Sequence, residues 1–191
     1  MECGLEKIDI SGSEEVGKYA FVSNRLLGTV KFSEEETVIG EGAFSYCDPL
    51  ATVENFKFVS EIGDYAFAYV ALTEADLSGA TKIGKNAFLK EELTPFKVTL
   101  GEDLEELSDN PFAMCKVEPF FETVIEKNKD KGTEKEVRNY TFELSDTVSV
   151  IDGSLYCKIG TGFELITFAG TETVDVNVHE DTTRISALAF A

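Results

Sequence analysis

Hydrophobic and polar positions recur along this chain in a fixed order. A six-residue motif, apolar-Gly-x-x-Ala-Phe, reads Val16-Gly17-Lys18-Tyr19-Ala20-Phe21 and Ile39-Gly40-Glu41-Gly42-Ala43-Phe44. It returns as Ile62-Gly63-Asp64-Tyr65-Ala66-Phe67 and Ile83-Gly84-Lys85-Asn86-Ala87-Phe88. Looser copies occupy Leu107–Phe112, Ile151–Tyr156 and Ile185–Phe190. From Phe21 to Phe112 the terminal aromatics stand 21 to 24 residues apart, the mark of a repeat array.

A second pattern, apolar-x-x-apolar-x-apolar, follows each motif. It appears as Leu5-x-x-Ile8-x-Ile10, Leu27-x-x-Val30-x-Phe32, Leu72-x-x-Ala75-x-Leu77 and Leu93-x-x-Phe96-x-Val98. In the third copy Leu50-x-x-Val53 runs into Asn55, so the last apolar position is lost. Alternation of this kind is the period of a strand with one buried face. One strand per repeat leaves no room for a crossover helix, so the pattern predicts a coil whose successive turns stack with strands in parallel. The motif glycines should sit where φ is positive or where two backbones come close. Phe21, Phe44, Phe67, Phe88 and Phe112 should stack as an aromatic spine at about the strand spacing of 4.8 Å.

These residues resemble the BspA-like, or Treponema-type, leucine-rich repeats, whose unit runs apolar-Gly-x-x-Ala-Phe-x-x-Cys-x-x-Leu-x-x-Ile-x-Ile. Cys47 and Cys115 fall in that cysteine slot, three residues after Phe44 and Phe112. The resemblance covers residues 1–115 as regular repeats and is weaker over 148–191, which reads as longer variant repeats continuing the same solenoid. Residues 116–147 do not match and read as an irregular insertion, a hairpin around Asp130-Lys131-Gly132 carrying mixed charge. The resemblance implies a right-handed leucine-rich-repeat solenoid with a parallel β-sheet face, mostly β and loop with short helical turns. Such arrays occur on secreted or cell-surface proteins, mostly bacterial, and several act as adhesins for host matrix, plasma or cell-surface proteins. Both chain ends stop in the same phase of the repeat without a distinctive end coil, the pattern of a piece of a longer array.

Charge narrows the partners. With 17 basic against 36 acidic residues among 191, the formal charge is −19, which disfavours nucleic acid and anionic membrane surfaces. No apolar run approaches the length of a bilayer span, so membrane insertion is not expected. The single histidine, His179, expected at the surface, leaves no partner set for a triad or a multi-His metal site. The acidic clusters at Glu34–Glu36 and Glu102–Glu106 lack the alternating ligands of a calcium loop. No catalytic residue, metal or cofactor is therefore expected, and the protein reads as a non-enzyme.

Two readings of Cys3, Cys47, Cys115 and Cys157 stay open. They could form two disulfides in an exported chain, or serve as small buried hydrophobes in equivalent slots, which is simpler. A protein ligand is expected on the strand face. The outward residues Asp9, Lys31, Glu54, Asp76 and Lys97 should form one row, with Thr29, Thr52 and Glu74 beside it, and Asp9–Lys31, Lys31–Glu54 and Asp76–Lys97 should be neighbours of opposite charge. The competing function is an accessory or spacer module within a larger secreted enzyme or surface protein.

Overall fold

The computed structural model describes residues 4–128, 133–167, 178–187 and 189–190. Cys3 and the Asp130-Lys131-Gly132 turn lie outside them. The regular part is a solenoid in which each coil contributes two short strands rather than the expected one. The first set is β1 (Lys7–Asp9), β3 (Thr29–Lys31), β5 (Thr52–Glu54), β7 (Glu74–Leu77), β9 (Thr94–Leu100) and β11 (Cys115–Val117). The second is β2 (Glu15–Val16), β4 (Thr37–Ile39), β6 (Val59–Ile62), β8 (Lys82–Ile83) and β10 (Glu106–Leu107). All strands of the second set pair in parallel as one five-stranded ladder. Its strands end on the motif's apolar residue, so the start of each hexapeptide is itself β structure.

The rest of the hexapeptide makes the third side of each coil. Gly40 N–H donates to Val16 O at 2.8 Å, and Phe21, Phe44 and Phe67 N–H each donate at 2.8 Å to the alanine carbonyl of the next coil. Two turns follow one another here: Ala43 N–H donates to Gly40 O and Cys47 N–H to Phe44 O. The third residue of each turn has positive φ: Tyr19, Gly42, Tyr65 and Asn86 in the first turn, and Ser23, Tyr46 and Met114 in the second. Turns of this form favour Gly or Asn at that position.

The motif glycines Gly40, Gly63 and Gly84 do not carry the positive φ. They are the points of close approach. A Cβ on Gly63 would stand 2.5 Å from Glu41 N, and one on Gly40 2.7 Å from Lys18 N. Of the two reasons the sequence offers for a glycine there, the second is the one that applies.

The aromatic spine is formed. Phe21–Phe44, Phe44–Phe67, Phe67–Phe88 and Phe88–Phe112 are stacked, with centroids 5.2, 5.2, 5.6 and 5.6 Å apart. Phe44, Phe67, Phe88 and Phe112 are fully buried. Cys47 and Cys115 are free thiols beside this spine, donating to Phe21 O at 3.0 Å and Phe88 O at 3.2 Å. Burial pushes the Cys115 thiol up to about 12, which keeps it protonated and inert as a nucleophile.

Beyond Val117 the chain leaves the coil. β12 (Glu122–Asn128) and β13 (Thr133–Asn139) pair antiparallel, and Arg138 lies over the Phe121 ring at 4.3 Å near the hairpin base. β14 (Phe142–Glu143), β15 (Val148–Ile151), β16 (Ser154–Ile159) and β17 (Gly162–Thr167) then form an antiparallel meander. Only β18 (Thr182–Ile185) joins it in parallel, beside β17. Residues 148–167 thus do not add a parallel coil as the weak repeat predicts. The physical reason is Asp152-Gly153, both with positive φ, which is the two-residue hairpin turn that sends the chain back on itself.

The meander lies over the last regular coil. Val148, Val150, Leu155 and Ile166 share one core cluster with the solenoid. Buried Thr167 donates to Asn110 Oδ1 at 2.7 Å, and Thr147 donates to Glu105 O at 2.6 Å. An internal cap of this kind covers an end whose apolar coil would otherwise be open.

Candidate protein-binding surface

The strand face divides in two. β1, β3 and β5 form one parallel three-stranded ladder, and β7, β9 and β11 form another, with no ladder between β5 and β7. On the first, Asp9, Lys31 and Glu54 stand in register, as do Lys7, Thr29 and Thr52. Lys31 Nζ lies 3.6 Å from Asp9, whose carboxyl is held below the usual range mainly by bonds from Ser11 and then by Lys31. Glu54 is paired not with Lys31 but with Lys7, at 3.3 Å. These pairs are exposed, so each contributes little to stability.

On the second ladder the expected row fails by one step. Lys97 stands opposite Glu74, and Asp76 opposite Thr99. The repeat is carried here by Pro95-x-x-Val98-x-Leu100, because β9 starts its inward alternation two residues later than the sequence frame implies. Leu93, the first apolar position of that frame, is 59% exposed. Phe96 is buried instead in line with Val117 of β11.

The division has a local cause at the imperfect third copy. Asn55 adopts a left-handed conformation, φ 66°, and its side chain donates to Phe32 O at 3.1 Å. A single 3-10 turn, Phe56–Phe58, follows. It drives Phe56 into the core between Phe32, Phe67 and Phe88, at centroid distances of 6.1, 5.0 and 6.1 Å. Between the two ladders lies a cleft of about 520 Å³ whose lining includes Thr52, Asn55, Phe56, Glu74, Asp76 and Lys97. Four of the eight residues singled out from sequence line this cleft; Asp9, Thr29, Lys31 and Glu54 lie on the flat ladder beside it.

Other candidate chemistry is spread apart. Among the described residues no group of three or more His, Cys, Asp or Glu side chains is arranged to hold a metal. His179 is half-buried rather than on the surface, edge-on to Phe163 at 5.3 Å and Tyr156 at 6.4 Å, and its Nδ1 accepts from Asp181 N–H. No described helix is long and apolar enough to cross a membrane.

Two-strand coils, a stacked phenylalanine spine and a parallel strand face define a leucine-rich-repeat solenoid of the kind that serves as a protein-interaction module. The BspA-type leucine-rich-repeat region matches residues 1–118 in six copies, and the chain belongs to that family. No curated protein and no solved structure matches the chain.

Proposed function

We propose that this chain is a non-catalytic, adhesin-like module acting outside the cell or at its surface, where the strand face binds a protein ligand such as a host matrix or cell-surface protein. The observation that supports the reading is the cleft between β5 and β7. It opens on the face where the outward side chains are free to vary without disturbing the core, and it brings Thr52, Glu74, Asp76 and Lys97 together around a concave floor. Polar side chains at the rim of a shaped depression give specificity, while the array sets its position. The family, commonly surface-associated, supports the extracellular location.

The test is binding of the immobilised chain to a panel of purified extracellular-matrix and plasma proteins, compared with the double charge reversal Lys31→Glu/Lys97→Glu. At least one panel member should bind, and the variant should bind it about tenfold more weakly or worse with an unchanged unfolding midpoint. Equal binding by the variant removes the strand face from the reading. Failure of every panel member to bind removes the adhesin reading itself.

A further inference from the structure

The edge of the solenoid formed by the paired turns carries four tyrosines that the fold does not require. Tyr19 and Tyr65 occupy the third position of the first turn in their coils, with φ 56° each; Tyr46 and Tyr69 follow their coils' phenylalanines by two residues, with φ 58° and 60°. L-residues with bulky side chains rarely adopt this conformation. The array itself supplies the easier residues at equivalent places: Gly42 and Asn86 in the first turn, Ser23 in the second. Tyrosine is thus held against backbone preference at sites where the same chain shows that a small polar residue suffices. Strain of this kind, kept at an exposed position, points to function.

The rings are also exposed. Tyr19 is 51% exposed, Tyr46 49% and Tyr65 37%. Their arrangement is fixed by contacts within the edge. The Tyr19 ring lies over Gly42, where a Cβ would strike it, and its hydroxyl donates to Glu41. Tyr46 and Tyr69 stack at 4.5 Å and 21°. Asn86 donates to the Tyr65 hydroxyl at 3.0 Å. Preorganised tyrosines of this sort give large contact area at little cost in side-chain freedom.

The border of the edge is acidic. Glu41 and Asp64 precede Gly42 and Tyr65, Asp48 lies two residues after Tyr46, and Glu91 acts electrostatically on Tyr69. Two lysines on the same turns are already committed, Lys18 to Glu41 at 3.1 Å and Lys85 to Asp109 at 3.3 Å. Exposed aromatic rings with carboxylates beside them complement one side chain above others, arginine, whose planar guanidinium stacks on a ring while its N–H groups pair with a carboxylate.

We propose that this tyrosine edge is a second docking surface and that it receives an arginine-rich segment of a partner protein. The proposal rests on the reading of the array as a protein-binding module but uses a different face from the strand cleft. The chain contains no tryptophan and six tyrosines, so intrinsic tyrosine fluorescence reports on this surface directly.

The experiment titrates the whole chain at physiological salt with an octa-arginine peptide, an octa-lysine peptide and cellohexaose, following tyrosine emission. Octa-arginine should change the emission saturably and bind at least about threefold more tightly than octa-lysine, with no response to cellohexaose. The variant Tyr19→Asn/Tyr46→Ser/Tyr65→Asn places at each site a residue that the array uses in an equivalent turn. Followed by calorimetry, it should bind octa-arginine about tenfold more weakly. Tyr19→Asn alone, at the outermost described coil, should weaken binding about threefold and serves if the triple variant does not fold. Lys31→Glu/Lys97→Glu should leave octa-arginine binding within about twofold, which separates this surface from the strand face. Equal affinity for the two cationic peptides, a response to cellohexaose alone, or binding unchanged by loss of the tyrosines overturns the proposal.

Discussion

Replacing Phe67 with alanine is expected to destabilise the protein by about 3–5 kcal/mol, the range for removing a large aromatic from a tight core. Phe67 is fully buried at the middle of the spine. It stacks on Phe44 at 5.2 Å and on Phe88 at 5.6 Å, and Phe56 leans on it at 5.0 Å. The hole left by its ring is fenced by backbone bonded to the coils on either side, since Phe44 N–H donates to Ala66 O and Phe67 N–H to Ala87 O. The walls therefore have little freedom to collapse, and the cavity term remains. Phe21 supplies the comparison. It is only partly buried and has one stacked neighbour, Phe44, so Phe21→Ala should cost about 1 kcal/mol. Urea unfolding of the two variants measures both values. Similar losses at the two sites would mean that the rings act separately rather than as a continuous stack.

The second large effect belongs to a single methyl group. Gly63→Ala should destabilise by about 2–3 kcal/mol, because the new Cβ would stand 2.5 Å from Glu41 N and 2.7 Å from Gly40 C of the neighbouring coil. Both are backbone atoms held in the ladder, so neither can swing away. Gly17 occupies the same motif position in an earlier coil, and a Cβ there would meet nothing within 4 Å. Gly17→Ala should therefore change stability by no more than about 0.5 kcal/mol. Neither glycine has a positive φ, so the contrast isolates close approach from backbone strain. Equal thermal shifts in the two variants would contradict the contact as its cause.

The sequence made the spine and the parallel coil legible because each repeat spends its few invariant choices on inward positions: a phenylalanine that stacks, an alanine beside it, and a glycine where backbones touch. What it hid has physical causes in particular residues. The second ladder was invisible because its strands are mostly two or three residues long, too short to alternate; Glu15–Val16 and Lys82–Ile83 show only one inward residue each. The register of β9 was misread because Leu93 looks like a core position yet projects into solvent, while Phe96 reaches inward ahead of the repeat frame. Asp152-Gly153 was read as part of a worn hexapeptide, though an Asp-Gly pair between apolar runs is itself a hairpin signal.

The candidate surface was half legible. The outward residues of β1, β3 and β5 could be placed by alternation alone, and their register follows from the equal length of those coils. The cleft could not be foreseen, since it depends on Asn55 turning left-handed and on Phe56 entering the core where an ordinary strand residue would stand. The lost apolar position after Val53 marks the place in the sequence without indicating what replaces it. The tyrosine edge escaped because a repeat motif treats its x positions as unspecified, whereas the turn geometry makes them the most constrained exposed sites in each coil.

The most direct measurement is amide hydrogen exchange of the chain with and without its tightest-binding panel protein. The strand-face account predicts slowed exchange in Thr52–Glu54 and Glu74–Leu77, on both walls of the cleft, with smaller protection in Thr29–Lys31. Exchange unchanged along all of these strands, with protection confined to the 122–139 hairpin or to the C-terminal meander, would contradict it.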